Sequence, residues 1–578
     1  MRRGLMPAVA ATALFVAAAA MLLSSVWRAG ITEVVPQATS NALGEPIDPD
    51  WQLLTTADTE LAAWLVPRHA RTLARSPWRL FETEHCAPDS TTLAFGEPMI
   101  TLGVLAIPFR AAAGPVAAYN LTLVALFVVS ALAMYLLIVA WTGSAAAATA
   151  AAILYAFNAE RIADISHPFI YDTAWTVLGL YFARRWLAGG RWRDALGLAV
   201  CGALQLGTSL YPIIASLLLW VPIAVWLLRS YGLRHVRWLQ VATVVGVVLA
   251  ATYVIFSPYL DVRAATDTLR RTEQHFAAWS WLTPHREAGV AWTTLVLAAI
   301  ALALPHAASD EALGPVRGVR WAIAAGALLV ALAATGPNAP RWWTALWSGD
   351  PPLGWPNLYA ALGALLPGLD AIRVPARIET GSHLGLCILA GLGAAALLQR
   401  GSRYAHALGV AIIVAAVVET AVLVAPVRPS QARGSLVTVA PAPDDVQLFA
   451  SLARMGNDGA VLELPMGDAD HEFLFRAPRR VLLTASQGRR TSACYGSFLP
   501  PGREQLRLDS LELPAAGAMA RLCAQGFTTA LVHLDTPLGR HAADRFLEAS
   551  MSAGGGTSLL ASSRSTMAFS LCDESRGF

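Results

Sequence analysis

Lysine is absent from all 578 residues, so every fixed cation in the chain is an arginine. Charge of either sign is scarce: Asp, Glu, Lys and Arg together make up 14% of the sequence, against roughly 25% in ordinary soluble domains. A net charge of +3 leaves no basic field that would argue for nucleic acid. The six cysteines (Cys86, Cys201, Cys387, Cys494, Cys523 and Cys572) show no C-x-x-C spacing, so neither a zinc site nor a thioredoxin-like motif is supported. Cys494, Cys523 and Cys572 allow one disulfide in the tail, with its pairing open. There is no phosphate-binding glycine loop and no G-x-S-x-G in the tail, which argues against a second enzyme there.

What is abundant is apolar: 56% of the chain is hydrophobic. Runs of the roughly 20 residues needed to cross a ~30 Å hydrocarbon core recur through the first three quarters. They predict an α-helical polytopic membrane protein with about eleven spans. The first is Leu5–Val26, read as retained because no cleavage motif ends it; the others lie near 118–140, 144–158, 169–186, 195–209, 211–228, 238–256, 290–304, 321–335, 380–398 and 405–425. Arginines place the short loops of one side in the cytoplasm: Arg184, Arg185, Arg191 and Arg193, then Arg229, Arg234 and Arg237, then Arg317 and Arg320, then Arg400 and Arg403. The amino terminus is then cytoplasmic in a bacterial inner membrane, and the long segments 30–117, 257–289 and 336–379 face outward with the tail. Nucleoside triphosphates are not available on that side, which disfavours ATP and soluble nucleotide-sugar mechanisms.

The expected domains are 1–426, the transmembrane part with its outer loops, and 427–578, a soluble extracytoplasmic α/β domain. In the latter, Asp444 and Asp445 start a helix through Arg454, and Ala460–Leu464, Arg480–Thr484, Thr528–Leu534, Thr557–Ala561 and Met567–Leu571 read as strands. Pro514–Gln525 and Leu538–Ala549 read as helices. The domain is expected to cap the membrane part or bind an acceptor.

Chemistry-bearing residues gather in the polar segment 45–97. Asp58 could act as a general base toward an acceptor hydroxyl. Asp48-Pro49-Asp50 is a D-x-D pair able to hold a divalent cation such as Mg or Mn through oxygen, a pattern common by chance. Glu60, Trp64, His69 and His85 share the segment, and Glu97 closes it beside Pro98 as a second acid; the alternative is a solvated loop. Farther on, Arg161 and His167 could hold an anionic headgroup or a leaving phosphate, or anchor the chain at the interface. Arg373 and Arg377, four apart at the expected membrane edge, suit a lipid phosphate because a guanidinium donates two parallel hydrogen bonds.

The ordered pieces Ala57-Asp58-Thr59-Glu60-Leu61-Ala62-Ala63-Trp64 with His69, Ser76-Pro77-Trp78-Arg79-Leu80-Phe81, Thr92-Leu93-Ala94-Phe95-Gly96-Glu97 and Ala118-Tyr119-Asn120-Leu121 carry a resemblance. It continues through Phe157 to His167, Leu204-Gln205 to Ser209-Leu210-Tyr211, Trp281-Leu282-Thr283-Pro284, and Pro367-Gly368 to Pro375-Ala376-Arg377. In these pieces the chain resembles bacterial integral-membrane glycosyltransferases of the GT-C superfamily, YfhO-like members among them. The resemblance implies a polyprenyl-phosphate-linked sugar donor, an envelope glycan, lipid or protein acceptor, and membrane lipid as surroundings. Asp58 would be the acid of the first outer loop, although relatives look like Gly-Asp-Pro where this chain has Ala57-Asp58-Thr59. It further implies single displacement with inversion, with Glu60, Trp64, His69, Glu97, Arg161, His167, Tyr211, Arg373 and Arg377 around the substrates. Two other classes stand beside this one: a lipid-linked oligosaccharide ligase, polymerase or flippase, and a non-catalytic membrane scaffold. Ion-coupled transport is disfavoured, since Glu419 is the clearest acid inside an expected span.

Overall fold

The computed structural model describes residues 2–42, 44–265, 289–304, 318–336, 358–365, 369, 372, 374–400, 404–429, 434–455, 459–467, 471–486, 488–497, 499–552 and 556–572. Helices dominate. Among the described residues five are long and apolar enough to cross a membrane: Pro115–Thr142, Leu210–Tyr231, Trp238–Val262, Pro375–Arg400 and Ala405–Val424. Met6–Leu22, Ile100–Ala113, Trp292–Ala303 and Val319–Ala334 are apolar but shorter. These five coincide with five of the eleven expected spans; the full count of eleven is not shown by the described residues. At 1.5 Å per residue the 12 residues of Ala145–Ala156 reach only ~18 Å of the ~30 Å required. Leu239, Val245, Leu249, Tyr253 and Val254 on one of the long helices, and Val410, Val414, Val418 and Val422 on another, point outward from the protein. A helix can leave such a face uncovered in lipid because its backbone is satisfied internally.

The segment expected as one outer loop, 30–117, is mostly helical. Pro49–Arg75 forms a 27-residue helix, with Asp48 as its N-cap accepting from Asp50 N and Pro49 at its first position. The apolar helix Ile100–Ala113 follows and ends at Gly114, whose φ of +79° turns the chain into Pro115–Thr142.

The tail holds a four-stranded sheet in the order β3-β4-β6-β5, with β3 Ala460–Leu464, β4 Phe527–His533, β5 Leu559–Ser562 and β6 Thr566–Ser570. The β3/β4 pair is parallel and the other two pairs are antiparallel. Alternation along the strands sends Leu462, Leu464, Ala530 and Val532 into one apolar layer with Phe527, Phe546 and Phe569, and sends Val461 and Leu531 into another with Leu448, Phe449 and Leu452. Arg480–Thr484, expected as a strand, belongs instead to the helix His471–Ser486. Its Val481 and Leu482 suit a strand, but Ala477, Val481, Leu482 and Ala485 are all buried, at the four-residue spacing of one helix face.

Among the described residues the tail is tied to the first long segment by backbone pairing and a disulfide. β1 Val34–Pro36 pairs antiparallel with β2 Leu436–Thr438. Cys86 N, Ala87 N and Thr491 N donate to Ala493 O, Thr491 O and Glu84 O, respectively. A disulfide joins Cys86 to Cys494 across 408 residues. The tail's own disulfide is Cys523–Cys572, while Cys201 and Cys387 are free and buried in apolar helices.

Candidate functional site

Asp58 lies on the middle of the helix Pro49–Arg75, with 23% of its side chain exposed. Two segments remote in sequence converge on it. The Tyr495 hydroxyl donates to Oδ1 at 2.8 Å, and His167 Nε2 meets Oδ2 at 2.8 Å. The other ring nitrogen of His167, Nδ1, is bonded to Asp164, so the imidazole is held between two carboxylates. The Arg377 guanidinium, at the start of the span Pro375–Arg400, comes within 3.4 Å of His167 Nε2 and lies over the Tyr211 ring at 5.8 Å. Tyr211 OH accepts from Val374 N at 3.4 Å, fixing the turn that leads into Arg377.

The charges support one another. Burial alone would raise the Asp58 carboxyl, but His167, Tyr495 and Arg377 outweigh it and hold it below the usual carboxylate range. Burial likewise opposes the His167 imidazolium, yet Asp164 and Asp58 lift its pKa to about 9 despite Arg377 nearby. The ring therefore stays charged at neutral pH. Glu97 senses Arg377, His167 and Asp58, with burial and the Asp58 charge pushing its carboxyl up. Beside the cluster, burial pushes Glu160 to about 7 next to Glu379 and Asp164, and the Tyr171 hydroxyl donates to it at 3.4 Å. Asp58 accepts one bond on each oxygen, and a carboxylate offers about four lone-pair positions. Lone-pair positions therefore remain for an incoming hydroxyl.

Of the residues singled out in the sequence, the fold brings Asp58, Glu97, His167, Tyr211 and Arg377 together. Glu60, two residues beyond Asp58, faces the tail, where it lies 3.9 Å from Arg479, and burial raises it to about 7. Trp64 packs edge-on against His85 with ring centroids 5.3 Å apart. His69 is bonded through Nε2 to Pro98 O at 2.9 Å and packs against Gly103, and burial holds it neutral with a pKa of about 3. These three make their contacts away from the Asp58 cluster. Arg161 belongs to another cluster: it donates to Ser130 Oγ at 2.7 Å and lies over the Phe127 and Tyr155 rings. Asp48 Oδ1 accepts from Asp50 N at 2.9 Å as a helix cap, and both acids are exposed at the far end of the helix. Ten residues of helix put them ~15 Å from Asp58. Among the described residues no group of three or more His, Cys, Asp or Glu is placed to hold a metal ion. Of the D-x-D pair, Asp48 Oδ1 is engaged as a cap and the Asp50 carboxylate is exposed. Arg373, Trp281 to Pro284 and Pro367-Gly368 lie outside the described residues.

Tyr495, Asp164 and Glu379 escaped the sequence reading. Asp164 stands three residues before His167, a spacing that invites a carboxylate–imidazole bond across one turn. For Tyr495 the one signal was its neighbour Cys494, whose partner Cys86 opens the way into the Asp58 segment.

No family model matches the chain, and no curated protein matches it. Among solved structures it is similar to the arabinofuranosyltransferase AftD from mycobacteria, determined by single-particle cryo-electron microscopy, at 14% identity and a TM-score of 0.46 over 93% of this chain and 40% of that one. A mutant of the same enzyme gives 15% identity and a TM-score of 0.45 over 93% of this chain and 42% of that one. The chain thus spans less than half the length of these structures.

Proposed function

We propose that the protein is a membrane glycosyltransferase that moves a sugar from a polyprenyl-phosphate donor to an acceptor hydroxyl at the outer face of the cytoplasmic membrane, with inversion. The observation that carries this reading is Asp58, held ionised by His167 and Tyr495 with Arg377 alongside. A fixed carboxylate next to an arginine at the start of a span is what such a transfer requires. The base meets the acceptor and the cation meets a phosphate leaving at the lipid edge. In one displacement the acceptor oxygen forms its bond to the anomeric carbon as the bond from that carbon to the phosphate oxygen breaks. The hydroxyl proton passes to Asp58, and the departing electron pair stays on the phosphate beside Arg377. A carboxylate below its usual range is a weak base toward a ground-state alcohol. It accepts the proton late, when the alcohol oxygen has become acidic through its new bond. Charge stabilisation by one such donor is worth ~3 kcal/mol, which is the share assigned to Arg377.

Two disulfides support the outward placement. Such bonds persist in oxidising compartments, and both pairs lie in the first long segment and the tail, whereas the two free thiols are buried in apolar helices. The acceptor is an envelope glycan, lipid or protein, and the tail contributes directly to the site through Tyr495.

The test is transfer by purified, lipid-reconstituted protein offered a panel of polyprenyl-phosphate sugars, with and without chelator. Asp58→Asn should lower kcat by about 100-fold or more, in the range of a positioned general base, while remaining folded and inserted. Near-normal turnover by that variant would remove Asp58 from the chemistry. Collapse with chelator in the wild type would bring back a metal.

A further inference from the structure

The tail contains a small, half-open pocket that the transfer chemistry does not use. Arg480, Arg503, Glu463, Ser492, Ala493 and Cys494 are among the residues lining it. Arg480 is 7% exposed; its Nη1 donates to Pro465 O at 2.9 Å, and its Nη2 has no hydrogen-bond partner. The one carboxylate on the wall, Glu463, already carries three hydrogen bonds. Its Oε1 accepts from Thr484 Oγ1 at 2.5 Å and Thr491 Oγ1 at 2.8 Å, and its Oε2 is bonded to His533. Arg503, half-buried at the first position of the helix Arg503–Leu511, brings a second guanidinium to the same space. Burial works against both cations, and the charge of Arg480 further depresses Arg503. Glu463 and Asp535 partly offset the Arg480 charge and Glu504 that of Arg503, but a buried guanidinium N–H without an acceptor still carries the full desolvation penalty. Guanidinium groups match carboxylate and phosphate oxygens through paired donors.

We propose that this pocket is an anion-binding subsite that takes the carboxylate or phosphate group of an acidic glycan unit. The pocket is small and open to solvent on one side, so the anionic group alone enters it and the rest of the glycan stays at its mouth. Its wall runs directly into the site: Cys494 lines the cavity and is bonded to Cys86, and the next residue, Tyr495, donates to Asp58. A glycan anchored here by an acidic unit has its neighbouring sugar brought toward the base. The assignment of the occupant to the acceptor rests on the transfer reading; the presence of the anion subsite does not.

The experiment is therefore direct binding, with no turnover required. Full-length protein in lipid nanodiscs is titrated calorimetrically, at constant ionic strength, with inorganic phosphate, with D-glucuronate and with D-glucose. One or both anions should saturate in the millimolar range while glucose does not. Arg503→Gln and Arg480→Gln should each weaken binding at least tenfold. Arg503→Gln should keep the wild-type thermal midpoint, since its side chain is only half-buried. Saturation by phosphate alone assigns a phosphorylated unit, and saturation by glucuronate alone assigns a uronic acid. Failure of both anions to bind, equal binding by glucose, or unchanged affinity in Arg503→Gln overturns the subsite and leaves the Asp58 reading standing. Loss of transfer in Asp58→Asn with anion binding intact separates the two sites.

Discussion

His167 joins the two halves of the candidate site, because its ring contacts Asp58 on one side and Asp164 on the other. Its pKa in the fold, about 9 against the 6.5 of an ordinary imidazole, makes the charged ring a pH-dependent part of the structure. For a raised cationic group the stabilisation is fully present below the unfolded pKa of 6.5 and is lost as pH climbs through about 9. At about 1.4 kcal/mol per unit the shift is worth on the order of 3 kcal/mol. Turnover should then be flat through neutrality and fall along an alkaline limb near pH 9. Asp164→Asn removes the largest influence raising that pKa, so the limb should move toward acid. A kcat profile from pH 6 to 10 for both proteins checks this. A limb at the same pH in both would show that another group titrates.

Among the secondary-structure elements, the contact that decides the site is backbone against backbone. A Cβ on Gly496 would come within 2.5 Å of Phe95 O and 3.0 Å of Phe95 C, both atoms of a 3-10 turn that cannot swing aside. Gly496→Ala must therefore push the segment carrying Tyr495 away from the Asp58 segment. Overpacking of this kind costs about 1–3 kcal/mol, and a misplacement of ~1 Å can cost ~100-fold in rate. The facing Gly96 has room, its nearest neighbour being Gly496 Cα at 3.8 Å. Gly96→Ala should retain activity and thermal midpoint, and Gly496→Ala should lose kcat/KM by at least tenfold. Equal behaviour of the two variants in transfer and thermal unfolding would sink the argument. The same elements show what the sequence could reveal. Ala460–Leu464 forms a strand over the residues where alternation and Pro465 placed one, and Pro443–Arg454 forms a helix behind its two acids. Local pattern was enough there, because each element's burial is set by its own neighbours. Val481 and Leu482 misled because a short β-favouring run is ambiguous until the buried face of the whole helix is known. The acid Asp58 and the pair His167 and Arg377 were legible from residue type and place along the chain. Tyr495 was not, since its role arises from a contact spanning 437 residues.

At the scale of the whole molecule, the tail and the first long segment behave as one unit. The β1/β2 pair, the backbone bonds around Cys86 and the Cys86–Cys494 disulfide all bind the tail to the segment that carries Asp58. Removing the disulfide leaves the other ties, so the tail should stay attached while Tyr495 loses its fixed position. Cys86→Ser with Cys494→Ser should insert normally and retain Cys523–Cys572, yet transfer sugar about tenfold more slowly. Mild reduction of the wild type should slow transfer in the same way and reoxidation should restore it. If the disulfide acts by placing the phenol, its effect should shrink in a Tyr495→Phe background, because residues working through one contact are not additive. A double-mutant cycle on kcat measures this coupling. Additive losses would mean that the disulfide supports the tail generally, and unchanged turnover in the serine pair would mean that the backbone ties alone hold Tyr495 against Asp58.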